Sequence, residues 1–266
     1  MESDSETKDL LVAELWGQGS TGIVETDLPD GRCLLRAFFD LDADGAALVG
    51  RFGGKLEHHA PRDWVAESQA NWEPIAVGER FYLVPQWRDD PAPAGRVRIE
   101  INPGLACGTG FHEATQLCLE AIEKYQRPNM TVLDVGAGSA ILSIASALLG
   151  ARRVIACDLD PVAVAIAAGN VRSAGVEVLL FTGSADAIRP GSIDLIVANI
   201  SAAAAIDLAP HFLRSLAPGG RLIASGFEAP EAAAVEYAYD AIERRLSKND
   251  WRGIVAYSNS DSTGTI

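Results

Sequence analysis

In the second half of the chain, apolar residues fall in short continuous runs: Thr131 to Asp134, Val154 to Asp158, Val176 to Phe181, Ile193 to Asn199 and Arg221 to Gly226. Alanine-rich stretches of helical character separate them. Strand-length apolar runs divided by helices predict βαβ units on a mostly parallel sheet, because a strand covered on both faces has no polar side to alternate with. The punctuation agrees. Asp160-Pro161 offers an N-cap and a first-turn proline, and Pro218-Gly219-Gly220 is expected to close the helix carrying Leu208, Phe212 and Leu216. A last helix over Glu231 to Leu246 and a final strand over Trp251 to Tyr257 complete the pattern.

The first half is smaller in scale. Leu11, Leu15 and Trp16 recur at helical spacing within Lys8 to Gly17, and Gly17 and Gly19 stop that helix. Ser20 to Thr26 and Arg32 to Phe39 are rich in β-branched and aromatic residues, and Leu28-Pro29-Asp30-Gly31 joins them as a hairpin turn. From Ala43 to Ser68 the pattern weakens through Gly53-Gly54, His58-His59 and Pro61, which reads as a connector with some helix from Arg62 onward. The expected division is a small α+β domain over 1–57, a connector over 58–72 and an α/β domain over 73–266.

A chain of 266 residues with 48% hydrophobic and 22% charged side chains buries a sizeable core, which excludes disorder, collagen and coiled coil. It has no apolar run of the roughly 20 residues a membrane span needs, and Met1 to Asp9 is acidic where a secretory signal is basic and then greasy, so a cytoplasmic protein without membrane partners is expected. The four cysteines form no Cys-x-x-Cys pair and the four histidines lack zinc-ligand spacing, so neither a disulfide frame nor a metal site is signalled. A net charge of −14 opposes direct binding of nucleic acid, which draws most non-specific affinity from basic residues. A basic partner is electrostatically easier, although excess acid also serves solubility alone.

The candidate chemistry begins at Val132-Leu133-Asp134-Val135-Gly136-Ala137-Gly138-Ser139-Ala140, where a strand ends in a turn whose glycines let the backbone approach a ligand before a helix begins. A tight strand-to-helix turn is the alternative reading of the glycines. A dinucleotide fingerprint wants a third glycine where this chain has Ile141, and an uncharged strand end where it has Asp134, so NAD is disfavoured. Asp158 ends the second strand about 20 residues on, where a carboxylate takes both hydroxyls of a ribose. Its alternative is a helix cap, a task that Asp160 already fits. Asp186, in Ser184-Ala185-Asp186, is a candidate for an adenine amino group or simply a solvated loop residue.

Leu133-Asp134-Val135-Gly136-Ala137-Gly138 with Asp158 resembles the cofactor loop of class I S-adenosylmethionine-dependent methyltransferases. Further motifs resemble the PrmA family, which methylates a large-subunit ribosomal protein: Gly78-Glu79-Arg80-Phe81-Tyr82, Val84-Pro85-Gln86-Trp87, Gly108-Thr109-Gly110-Phe111-His112-Glu113-Ala114-Thr115, Ala198-Asn199-Ile200 and Ser225-Gly226. The likeness runs from about Leu10 to Tyr257. It implies a Rossmann-like, doubly wound, mostly parallel α/β domain preceded by a small α+β, ferredoxin-like domain. That first domain is expected to be shortened here, since the family opens with a strand and this chain is expected to start at about the first helix.

The resemblance also implies S-adenosylmethionine as cofactor, with Thr109, Thr115, Asp134, Gly136, Gly138, Asp158, Asp186 and Asn199 around it, and Gly108 to Gly110 as a backbone loop over its methionine end. Thr115 alternatively caps its own helix, His112 reads as an ordinary loop or buried histidine, and Asn199 has a structural hydrogen bond as its rival role. This chain departs from the family at Ala140 (usually glycine), Cys107 (phenylalanine) and Ala114 (threonine). The methyl of Ala140 fits if that position is already helical, whereas lost bulk at Cys107 alters the transfer pocket.

Methyl transfer from a sulfonium is an in-line displacement that needs alignment and exclusion of water, not a covalent intermediate or a metal. A lysine amine must be neutral to attack, and with a reference pKa of about 10.4 only roughly one in a thousand to ten thousand is neutral near pH 7. The Asn199 carbonyl oxygen is the expected catalytic group, accepting the amine hydrogens and aiming the lone pair. An enzyme methylating a flipped base would want an aromatic residue after the strand, where this chain has Ile200-Ser201-Ala202. The expected protein is therefore a monomeric S-adenosylmethionine-dependent protein-lysine or N-terminal amine methyltransferase acting on a basic large-subunit ribosomal protein, recognised by Leu10 to about Lys55. A paralogue methylating another protein or small amine, a non-catalytic S-adenosylmethionine-binding module and a nicotinamide oxidoreductase are the alternatives.

Overall fold

The computed structural model describes residues 1–3, 7–29, 32–40, 43–57, 72–101, 110–239 and 241–257. Its contacts fall into two units, Met1–Glu67 and Ser68–Ile266. The expected connector at 58–72, with its helix from Arg62, lies almost wholly outside the described residues.

The first unit runs β1 (Glu2–Ser3), α1 (Lys8–Gly17), β2 (Gly22–Asp27), β3 (Cys33–Phe38) and α2 (Gly45–Phe52). Helix α1 spans the residues that its apolar spacing predicts. β2 and β3 form the expected antiparallel hairpin, with Gly22 opposite Phe38. Two expectations are corrected. A strand does precede the first helix, since Glu2 and Ser3 pair with Leu34 and Cys33. The segment after Ala43 is not all connector either, because Asp44 accepts the Ala47 N–H at 3.0 Å and starts α2. Gly45, Gly50 and Gly53 disguise that helix as loop.

The second unit opens with a three-stranded sheet that the pattern of apolar residues does not announce: β4 (Ile75–Val77), β5 (Phe81–Pro85) and β6 (Val97–Ile101). There follow α3 (Glu113–Tyr125), β7 (Thr131–Val135), α4 (Ile141–Leu148), β8 (Arg153–Asp158), α5 (Pro161–Ser173), β9 (Leu179–Thr182) and β10 (Ile193–Asn199). The chain closes with α6 (Ala202–Asp207), α7 (Ala209–Ser215), β11 (Leu216–Glu228), α8 (Ala232–Tyr237), β12 (Ile242–Lys248) and β13 (Trp251–Tyr257).

Seven strands make one sheet in the order β12-β13-β11-β10-β7-β8-β9, in which only β13 runs against the others. The chain leaves β7 towards β8 and β9, then returns to lay β10 on the other side of β7. The crevice outside the carboxyl ends of β7 and β10 is therefore the topological switch point, where open α/β sheets bind ligands. Apolar residues cover both faces. Leu195 and Val197 belong to one core while Ile196 and Ala198 belong to the other, which explains the continuous apolar run of β10. The doubly wound α/β fold is thus the one expected.

Three boundaries differ from expectation. Val176 and Val178 pack against the core ahead of β9, which begins at Leu179. Ser215 ends the helix that Pro218-Gly219-Gly220 was expected to close, and those glycines lie within β11. The last helix stops at Tyr237, and Ile242 to Lys248 is strand. Among the described residues, no helix is long and apolar enough to cross a membrane.

Candidate functional site

The glycine turn between β7 and α4 is tied to the neighbouring strand before any ligand is considered. Gly136 and Ala137 donate their N–H groups to the Cys157 carbonyl at 2.9 and 3.0 Å, and Gly138 donates to Asp158 Oδ2 at 3.0 Å. Gly136 has φ +73°, and a Cβ built on it would lie 2.6 Å from Ile200 Cγ2. Only glycine fits there, so the turn meets the end of β10 across the switch point.

Asp158 is half-buried. Its Oδ1 accepts the Asp160 N–H at 3.0 Å, so each oxygen already holds one backbone hydrogen and keeps capacity to accept another. Asp160 caps α5 by accepting the Val162 N–H at 2.8 Å, the task foreseen for it. Asp186 is exposed in a short turn after β9. Asp134, Asp158 and Asp186 all act electrostatically on the buried Cys157 thiol, which burial first of all pushes up to about 12. Two carboxylates at the carboxyl ends of β7 and β8 and a third in the turn beyond β9 therefore give this region a negative field.

Asp134 is buried in β7. Its Oδ2 accepts the Ser143 hydroxyl at 2.6 Å, and its Oδ1 is enclosed with no hydrogen-bond partner among the described residues. Burial pushes its carboxyl up to about 6, opposed by the hydrogen bonds of Ser143 and reinforced by the charge of Asp158. Ser143 was not among the expected site residues. Its signal in the sequence is a hydroxyl inside the otherwise apolar first turn of α4.

On the far side of the switch point, Asn199 ends β10 half-buried and donates from Nδ2 to Oγ1 of the fully buried Thr115 at 3.0 Å. Thr115 does not cap its own helix. His112 does, accepting the Ala114 N–H on Nδ1 at 3.3 Å while its ring meets Trp251 edge-on at 4.3 Å. Gly226, at φ +100°, passes so close that a Cβ there would lie 2.8 Å from Asn199 Oδ1 and 2.4 Å from the Ile200 carbonyl oxygen. This contact explains the Ser225-Gly226 motif.

The structure therefore gathers Gly136, Gly138, Asp134 and Asp158 on one side of the crevice and Thr115 and Asn199 on the other. Thr109, Gly108 and Cys107 lie outside the described residues. Ala140 corrects an expectation: it is not helical but left-handed, at φ 63° and ψ 20°, on the N-cap of α4. Gly110, also left-handed at φ +80°, packs where a Cβ would meet Leu83 and Ile141.

A family model for ribosomal protein L11 methyltransferase (PrmA) matches residues 41–259. Ribosomal protein L11 methyltransferase of Pelotomaculum thermopropionicum is 42% identical over 193 residues, covering 72% of this chain and 63% of that protein. The same-named protein of Pseudomonas paraeruginosa is 39% identical over 243 residues, 86% of this chain and 82% of its own. The chain thus spans less than two thirds of the first relative's length. The crystal structure of ribosomal protein L11 methylase from Lactobacillus delbrueckii subsp. bulgaricus superposes with a TM-score of 0.66 at 32% identity, over 71% of this chain and 100% of that one.

Proposed function

The chain belongs to the ribosomal protein L11 methyltransferase (PrmA) family, and on that premise we propose that it transfers methyl groups from S-adenosylmethionine to lysine or N-terminal amines of a basic large-subunit ribosomal protein. The observation that carries this reading is the contact between the glycine turn and the end of β10. Gly136 lies against Ile200, the neighbour of Asn199, so a cofactor cradled by the turn and an amine held by Asn199 share one crevice.

The residues present fit the cofactor. Asp158 keeps further acceptor capacity on each oxygen for a ribose diol, Asp134 Oδ1 has no donor among the described residues, Asp186 is an exposed carboxylate available to an adenine amino group, and the turn at Gly136 and Gly138 brings backbone close to a ligand. Bound S-adenosylmethionine supplies an electrophilic methyl on a sulfonium. The chain supplies alignment. With Asn199 Nδ2 engaged by Thr115, the amide plane is fixed and Oδ1 is left to accept a hydrogen of the entering amine, aiming its lone pair. Desolvation beside a cationic group favours the neutral amine, and after transfer the amine's proton leaves to solvent.

Substrate recognition is assigned to Leu10 to about Lys55, in the first unit. The acidic balance of the chain speeds encounter with a basic protein, and this small unit precedes the α/β unit in the sequence. The protein is read as a cytoplasmic monomer that binds neither nucleic acid nor membrane.

Incubation with methyl-labelled cofactor and a cell lysate, followed by identification of the labelled polypeptide, tests the reading. Label on a large-subunit ribosomal protein supports it. Label on another protein, or on a small amine alone, overturns the substrate assignment, and calorimetry showing NAD bound in place of S-adenosylmethionine overturns the cofactor.

A further inference from the structure

The carboxyl group of Asp134 is held from one side only. Asp134 and Ser143 are 1% and 0% exposed, the Ser143 hydroxyl donates to Oδ2 at 2.6 Å, and Oδ1 meets no donor among the described residues. A buried carboxylate oxygen without a partner is costly, and such an atom persists where a bound group completes it or a proton occupies it. The atom sits in β7 immediately before the glycine turn, on the side of the crevice that carries Asp158. We propose that Ser143 is a positioning residue that orients Asp134 and favours its carboxylate form for the cationic part of the bound cofactor, and that cofactor binding expels the proton from whatever fraction of Asp134 still carries one. The inference rests on the S-adenosylmethionine reading and deepens it.

The groups facing Asp134 can be named element by element. From β8 come the Asp158 carboxylate and the Cys157 thiol, and from α3 the Cys118 thiol. α4 presents Ser143, and β10 places apolar Val197 opposite. Burial raises both thiols, which stay neutral near pH 7 and do not compete for the response. The charge that acts on Asp134 is that of Asp158. Burial pushes Asp134 up to about 6, and Ser143 pulls the other way.

A ligand cation favours the carboxylate form. Cofactor affinity is therefore full above pH 6 and falls as the pH drops below it, by up to about tenfold per unit. Removing the Ser143 hydroxyl raises Asp134 further, so in Ser143→Ala the fall begins about one pH unit higher, the scale of one charged hydrogen bond. In alkaline solution the two proteins converge. A merely structural serine behaves differently, because its loss weakens binding equally at every pH.

Calorimetry of the full chain with S-adenosylmethionine, from about pH 5 to about pH 8.5, reads this directly. The expected result is a displaced profile for Ser143→Ala and a flat, weak one for Asp134→Asn, which cannot titrate. Equal weakening of Ser143→Ala at all pH values, or a flat profile for the unsubstituted chain, overturns the inference while leaving the cofactor reading intact. No binding of S-adenosylmethionine by the unsubstituted chain at any pH overturns both. Should Ser143→Ala fail to fold, titrating the unsubstituted chain in buffers of different ionisation enthalpy decides the matter. About half a proton released near pH 6 and none near pH 8 is expected, and zero at both sinks it.

Discussion

Asn199 Nδ2 donates to Thr115 Oγ1 at 3.0 Å, joining two residues 84 positions apart on the same side of the crevice at the switch point. The bond uses the amide nitrogen and so decides which end of Asn199 faces an incoming amine.

Asn199→Ala is accordingly expected to lower single-turnover methyl transfer roughly a hundredfold, the scale for losing one preorganised polar group at a reacting centre. Cofactor affinity should change little. Equal loss of binding and transfer would instead make Asn199 a cofactor anchor.

Thr115→Ser keeps the hydroxyl and is expected to retain activity within about threefold, whereas Thr115→Val removes the acceptor and costs about 1 kcal/mol of stability and most of the turnover. Denaturant melts alongside rate measurements check this pair. Similar rates for Ser and Val would show that Asn199 needs no partner.

Asp158→Ala should weaken S-adenosylmethionine by about 1.5 to 3 kcal/mol, the range for charged hydrogen bonds. The Gly138 and Asp160 N–H groups lose their acceptor as well, so the turn loosens. Unchanged affinity in a folded variant would remove Asp158 from the site.

Asp134 stores a stability deficit in the ligand-free chain. Its folded pKa, about 6 against an ordinary 3.8, lies above the unfolded value, so stability is highest below the lower figure and is lost as pH rises through the interval. Asp134→Asn should therefore stabilise the ligand-free chain at neutral pH by roughly 2 to 3 kcal/mol. It should do so while losing cofactor affinity. A thermal melt in which the variant is less stable than the parent at pH 7 contradicts the stored deficit.

Ala140 is buried at positive φ, a conformation costing a non-glycine residue about 1 to 2 kcal/mol. Ala140→Gly relieves that strain while losing one buried methyl, worth about 0.8 kcal/mol, and adding chain entropy to the unfolded state. The expected net change is within about 1 kcal/mol. Ala145→Gly, in the interior of the same helix, has no strain to relieve and should cost about 2 kcal/mol. Chemical denaturation of both separates them, and an equal loss at the two positions would mean that the left-handed Ala140 carries no strain.

The sequence by itself determined the winding of the large unit. β10 and β13 occupy the expected residues because continuous apolar runs must be covered on both faces, and the turn at Gly136 is where it should be because only glycine allows that backbone. Asp160-Pro161 likewise starts α5 by local capping alone. Where local and distant terms conflict, the sequence misleads. Ile242 and Leu246 are four apart, as on one face of a helix, yet they lie in β12, where a register shift between Ile242 and Arg244 breaks the two-residue alternation. The candidate site was legible as a set of residue types at strand ends, not as a set of contacts. That Ser143 holds Asp134, that Thr115 serves Asn199 and not its own helix, and that Ala140 is left-handed all depend on elements packed from distant stretches of chain. Only tertiary packing decides those, because a buried hydrogen bond is set by which surfaces meet and not by which residues are neighbours in sequence.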